Sequence, residues 1–243
     1  MRIDANRLDF KELNERIHKE LKRGAKSITL SNVNGQRYIG CGLKGDVKIT
    51  VEGVPGNDLA AFMDGPEITV AANAQDAVGN TMNSGKVVVH GSAGDVIGYA
   101  MRGGTIFIRG DVGYRVGIHM KSYEKNVPVI VVGGRAGDFF GEYMAGGMQI
   151  LLGLGDNGKP VVGEWVGTGM HGGVIYIRGK VADWQLGKEV KAYPADEKDM
   201  KEITPYLKEF CKLFGLKLGV ILSEKFTKLA PHSHRPYGKL YSY

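Results

Sequence analysis

Cysteine is scarce, with only Cys41 and Cys211 in 243 residues. Two thiols so far apart in sequence make no disulfide framework, and a reducing, cytoplasmic setting is the expectation. Long apolar runs are missing too. No stretch approaches the roughly 18 apolar residues that a membrane span needs. The opening MRIDANRLDFKELNERIHKEL is charged throughout and has no apolar core of the signal-peptide kind. A basic stripe is also absent, although the net charge is +6. Residues 1–30 hold eight Lys and Arg against five acids, residues 220–243 hold four against one, and the body between them is balanced. Nucleic-acid binders concentrate charge on the folded surface and interleave it with aromatics, so neither nucleic acid nor membrane is expected as a partner.

What the chain has in excess is glycine, 37 residues, about twice the usual share of roughly 7%. The glycines lie among aliphatic runs and show no Gly-X-Y period, which excludes collagen and a disordered linker. The methionines reveal the reason. Met63, Met82, Met101 and Met120 are spaced by 19 residues each, and Met144 and Met170 continue the frame at wider spacing. Three residues before the methionine stand Gly79, Gly98, Gly117, Gly141 and Gly167; three after it stand Gly85, Gly104, Gly147 and Gly173. Five and seven after it come Ile68 and Val70, Val87 and Val89, Ile106 and Ile108, Ile175 and Ile177. Nine after it a small residue closes the unit: Ala72, Gly91, Gly110, Gly153 and Gly179. About seven such units fit between residues 35 and 181.

Each unit holds one short alternating strand bounded by glycines. Nineteen residues leave no room for a helical crossover, so the stacked coils of a parallel β-helix are the expected architecture. The aliphatic pair and the methionine should fill its bore, where a flexible thioether suits irregular gaps. The glycines should mark corners that need φ > 0 or close coil-to-coil contact. A phosphate-binding loop would use its glycines once, before a helix; here they recur before strands, and no nucleotide-binding glycine motif is present. The frame is interrupted by KSYEKNV at 121–127 and LGDNGKP at 154–160, loops expected on a contact surface. Gln149 takes an inward place and requires a buried partner.

At the start, residues 8–23 predict an amphipathic helix, with Asp9 and Glu12 at capping-box spacing and Phe10, Leu13, Ile17 and Leu21 in one stripe. SITLSNVNGQRYIG then reads as a strand, an Asn-Gly turn and a second strand. Near the end, Thr204 as cap and Pro205 at the first helical position predict a helix to Phe214. Its Leu207, Phe210 and Phe214 are expected to dock on the last coil. The tail SEKFTKLAPHSHRPYGKLYSY shows no periodicity. The organisation is therefore an N-terminal helix and strand cap over 1–34, the β-helix over 35–194, and a C-terminal helix, strand and basic tail over 195–243.

Candidate chemistry is thin. An acid recurs six residues before the methionine, at Asp76, Asp95, Asp138 and Glu164. A carboxylate ladder can bind a cation or cleave an acidic polysaccharide, but carboxylates next to glycine more often cap backbone N–H groups. His90, Arg109 and Arg178 share the place before the closing glycine, either as an anion patch or as solvated strand positions. His119 and His171 fall on opposite sides of their methionines and should not converge. His232 and His234 have H-x-H spacing without a nearby cysteine or acid to complete a metal set. Neither cysteine has the surroundings of a nucleophile, and no catalytic, cofactor-binding or metal residue is assigned.

The succession GNTMNSGKVVVHG, GYAMRGGTIFIRGDVG, GEYMAGGMQILLG and GTGMHGGVIYIRG closely resembles the GXGXG repeats of the C-terminal domain of the glutamate synthase large chain. A similar repeat occurs in one of the subunits of formylmethanofuran dehydrogenase. The resemblance covers roughly residues 30–230. It implies an all-β, right-handed parallel β-helix of about seven coils with small α-helical segments at both ends. It also implies a domain that carries no catalytic residues. In glutamate synthase that domain braces a glutamine amidotransferase domain against an FMN and iron–sulfur domain. This chain lacks both, and so resembles the β-helix domain as a separate subunit. FMN and iron–sulfur clusters would then belong to partner subunits, and self-association stays open. The competing class is an independent β-helix enzyme acting on an extended sugar.

Overall fold

The computed structural model describes residues 1–155 and 158–232. The chain opens with strand β1 (Arg2–Asp4), helix α1 (Phe10–Lys22) and strand β2 (Ser27–Asn34), with β1 parallel to β2. The Asp9 carboxylate caps α1 by accepting from the N–H groups of Lys11 and Glu12, while Leu13 and Ile17 are buried. Seven strands then stack in chain order: β3 (Lys48–Val54), β4 (Asp64–Val70), β5 (Ser84–Val89), β6 (Thr105–Ile108), β7 (Val129–Val132), β8 (Ala145–Leu151) and β9 (Gly172–Arg178). All pairings from β2 to β9 are parallel. The result is a β-solenoid of about six turns, since seven strands enclose six full turns between the first and the last.

The register explains the sequence frame. Ile28, Ile49, Ile68, Val87, Ile106, Ile130, Gln149 and Ile175 lie in one continuous row across the sheet. The row two residues on runs from Leu30 through Val51, Val70, Val89, Ile108, Val132 and Leu151 to Ile177, and Met63, Met82, Met101, Met120, Met144 and Met170 share its core. The six methionines are each fully buried. A corner glycine makes room for this packing. At Gly79, with φ +71, an added Cβ would lie 2.4 Å from Cδ1 of Ile106 on the next coil, closer than any relaxed contact.

Gln149 interrupts the aliphatic row. It is fully buried, its Nε2 lies 3.4 Å from the Met144 Sδ, and its Oε1 has no partner. Its amide occupies the space beside Gly117 (φ +70), where a Cβ would lie 2.1 Å from Nε2. The buried partner required from sequence is thus a weakly accepting thioether, and half of the amide goes unsatisfied.

Three expectations at the ends are corrected. No second strand follows Asn34; Gly35, at φ +81, gives its N–H to the Val54 carbonyl and the chain turns into the first coil. The late helix, α2 (Glu197–Phe214), starts eight residues earlier than Pro205. Asp196 accepts from the Asp199 N–H at 2.8 Å while Asp199 accepts from the Asp196 N–H at 3.0 Å, so a reciprocal cap outcompetes the proline as the start signal. Pro205 lies inside the helix, and Ile203, Leu207, Phe210, Cys211 and Phe214 are buried on both sides of it, which offsets its lost hydrogen bond.

Nor does α2 sit on the last coil. It lies along the outer face of the sheet, where Ile203, Leu207, Phe210 and Phe214 pack with Val88, Phe107, Val131, Ile150 and Tyr176. Lys86 pairs with Glu209, and His90 meets Phe214 edge-on at 5.3 Å. The aperiodic tail also contains structure. After β10 (Val190–Pro194), α2 and the short helix α3 (Leu218–Leu222), strand β11 (Phe226–Pro231) inserts antiparallel between β9 and β10. Among the described residues no helix is long and apolar enough to cross a membrane.

Candidate functional site

The recurring acids serve the backbone. Asp76 accepts the N–H of Asp95 at 2.9 Å, Asp95 that of Tyr114 at 2.8 Å, and Asp138 that of Glu164 at 2.9 Å. Each carboxylate thereby ties its coil to the next. Glu164 enters the ladder only by donating its backbone N–H to Asp138, and its residue is exposed. A second row in the same 19-residue frame went unread in the sequence. Asn73 accepts from Ser92 N–H at 2.9 Å, Ser92 Oγ from Asp111 N–H at 3.1 Å, and Asp111 from Arg135 N–H at 2.8 Å.

The basic candidates do not form one patch. His90 is against Phe214, and Arg109 is exposed. Arg178 donates to the carbonyls of Ile221 (2.9 Å) and Val220 (3.3 Å), to Ser223 Oγ, and pairs with Glu224 at 3.0 Å. It joins α3 to the end of β9. A cleft of about 450 Å³ nearby is lined by Arg135, Lys159, Arg178, Lys180 and Glu224, and Arg178 is already committed within it.

His171 Nδ1 lies 3.3 Å from the Gly169 carbonyl, His232 Nε2 lies 3.1 Å from the Lys188 carbonyl, and His234 falls outside the described residues. Among the described residues no group of three His, Cys, Asp or Glu side chains is placed to hold a metal. Burial pushes the Cys211 thiol up; burial and the charge of Asp58 do the same for Cys41. Both therefore stay protonated and weakly nucleophilic.

A buried polar cluster anchors α2. The Tyr176 hydroxyl donates to Asp199 Oδ1 at 2.8 Å, and the Lys228 ammonium donates to the same oxygen at 2.6 Å. Burial works to raise the Asp199 carboxyl, but its bonds from Lys228, the Asp196 backbone and Tyr176 outweigh that and hold it below its usual range. Burial, and then the Asp199 bond, push the Tyr176 hydroxyl far up, so it remains a donor.

One corner of the solenoid gathers several exposed rings. Five residues before the methionine stand Ala77, Val96, Arg115, Phe139 and Trp165; one before it stand Thr81, Ala100, His119 and Tyr143. All of these are left-handed, with φ between +49 and +60. Such backbone costs a non-glycine residue roughly 1–2 kcal/mol, and coil-to-coil hydrogen bonds hold it there. Arg115 N–H bonds to Asp138 O at 3.0 Å, Phe139 N–H to Glu164 O at 2.8 Å, and Val166 N–H to Gln185 O at 2.9 Å. The parallel row is held by His119 N–H to Glu142 O at 3.0 Å and Tyr143 N–H to Thr168 O at 2.8 Å.

The side chains on these rows change character along the rod. After Asp58 and the exposed Phe62 of the first coil, Ala77, Thr81, Val96 and Ala100 occupy the next two, and rings and cations the later ones. The Arg115 guanidinium lies over the Phe139 ring at 4.6 Å and pairs with the buried Glu142. His119 stacks on Tyr143 at 5.2 Å and meets Tyr99 edge-on at 6.0 Å. Tyr99, Tyr114 and Tyr143 are exposed, and both tryptophans of the chain, Trp165 and Trp184, are 50% and 65% exposed. This strip has the ring content of a protein contact surface. The 19-residue frame carried the signal, because the same register that aligns the methionines aligns Arg115, Phe139 and Trp165.

Comparisons with known proteins bear on the repeat and the fold. The model of a family described as GXGXG motif matches residues 11–234. The chain is 51% identical to "Uncharacterized protein MJ1350" of Methanocaldococcus jannaschii, over 99% of this chain and 95% of that protein. In three dimensions it is similar to a chain of the formyltransferase/hydrolase complex from Methylorubrum extorquens, solved with methylofuran. That match has a TM-score of 0.65 at 20% identity and covers 96% of each chain, a likeness of fold.

Proposed function

We propose, since this chain belongs to the GXGXG motif family, that it is a structural subunit of a split glutamate synthase. In this reading the solenoid braces a glutamine amidotransferase subunit against an FMN and iron–sulfur subunit and performs no chemistry itself. The flavin and clusters reside in those partners. The observation that carries the reading is the use of the repeated polar side chains. Asp76, Asp95, Asp138, Asn73, Ser92 and Asp111 each accept a backbone N–H of the next coil. The recurring residues thus build a rigid rod, and the exposed aromatic corner is the kind of surface a rod offers to other proteins.

A second reading, a structural subunit of a complex like formylmethanofuran dehydrogenase, is supported by the likeness of fold to a chain of the formyltransferase/hydrolase complex. Affinity capture of the tagged chain from its native cytosol, with mass identification of what accompanies it, separates the two. Recovery of an amidotransferase and an FMN/iron–sulfur subunit supports the first reading. Partners of a formyl-transfer complex replace it with the second, and a chain that returns alone at high yield overturns both. The purified chain should be colourless, and a flavin spectrum from it would contradict the proposal.

A further inference from the structure

The aromatic corner is also acidic. Asp95, Glu164 and Asp183 are exposed among Tyr99, Tyr114, Trp165 and Trp184, and Asp138 is half-buried beside Phe139. Asp95 and Asp138 each spend one oxygen on a backbone N–H of the next coil. The one arginine in the rows, Arg115, is neutralised by Glu142 and stacked on Phe139. A net-negative strip thus stands on a chain whose net charge is +6. Carboxylates beside exposed rings repel nucleic acid and anionic lipid, whereas a guanidinium satisfies both features at once. It accepts the ring face on its plane and gives its N–H groups to the carboxylates.

We propose that this strip docks an arginine-bearing segment of a partner protein, a proposal that rests on the structural-subunit reading for the partner's existence. The rows are spaced by successive coils, about 4.8 Å apart, so an extended segment lying along the rod meets Phe139 and then Trp165, with Trp184 on the adjoining row, level with Glu164. The left-handed backbone keeps the Phe139 and Trp165 rings turned outward before any partner arrives, and a 3-10 turn over Asp183–Gln185 holds Trp184, which lowers the ordering loss on binding.

Because Trp165 and Trp184 are the only tryptophans, indole emission reports this strip and nothing else. Titrating the full chain with hexa-arginine at low salt should quench and blue-shift that emission, with hexa-lysine weaker and hexa-glutamate silent. A Glu164→Gln/Asp183→Asn chain with unchanged melting temperature should bind hexa-arginine about tenfold more weakly. No emission change, an equal response to hexa-glutamate, or an unaltered double variant would overturn the proposal. In the assembled complex, Trp165→Ala/Trp184→Ala should lose partner subunits that Thr50→Ala on the open sheet face retains. If the unaltered chain captures no subunits, the structural-subunit reading fails while the peptide titration still decides the strip.

Discussion

Two outer surfaces of this solenoid carry apolar side chains, and among the described residues only one has a cover. On the sheet face, Val88, Phe107, Val131, Ile150 and Tyr176 are at most 1% exposed because α2 lies over them. On the corner, Tyr143, Trp165 and Trp184 are 45–65% exposed. The covered face follows the logic of a core, with close packing and an anchored helix end. The open corner follows the logic of an interface, with rings stacked on one another and carboxylates between them. The chain has supplied a helix where it needs stability and has left rings where another molecule can reach them.

That contrast is open to attack at several strengths. The largest expected effect is on the covered face: Phe210→Ala should destabilise the fold by about 3–5 kcal/mol, through the cavity it leaves against Gly133 and Phe214. Chemical denaturation measures it, and a loss under 1 kcal/mol would mean that α2 is a loosely held appendage. Next comes the anchor of the same helix. Asp199→Asn should cost about 1–3 kcal/mol at neutral pH, since the Lys228 bond and the helix cap both weaken.

The pH dependence of that variant has a definite sign. The folded Asp199 carboxyl is held below its unfolded value of about 3.9. Its contribution is therefore complete above that value and is lost as pH falls through the lower folded one. The melting curves of the two proteins should converge below about pH 4, and a constant gap down to acid pH would remove Asp199 as the titrating group.

Between the two surfaces lies Gln149. Gln149→Ile should stabilise the solenoid by about 1–2 kcal/mol, because an unsatisfied amide oxygen is removed. The neighbouring coil already accommodates Ile130 against Gly98 in the equivalent way. A destabilised variant would show that the polar interior serves the fold. The smallest effect is expected on the open corner, where Trp165→Ala should change stability by no more than about 0.5 kcal/mol. A large loss there would erase the distinction between the two surfaces.

Much of this contrast was legible in the residues. The outward row between the two interior rows reads Thr29, Thr50 and Thr69 in the early strands, then Val88, Phe107, Val131, Ile150 and Tyr176. The switch from threonine to apolar residues marks where a cover begins, and runs such as VVV and VIVV are those of strands buried on both faces. Reading the strands only as alternating hid it. The end helix was misplaced for a related reason. Its stripe of Leu207, Phe210 and Phe214 says that it must bury one side, but not against which surface.

By itself the sequence determined the coil. Its period, its interior rows, its glycine corners and the carboxylates that tie one coil to the next all follow from local sterics and a repeat that places like residues about 4.8 Å apart. The tertiary structure decided everything that has no counterpart one coil away. It laid α2 along the sheet and inserted β11 between β9 and β10. A repeat specifies its neighbours through register, whereas a unique segment finds its place only through the surface that remains for it to bury.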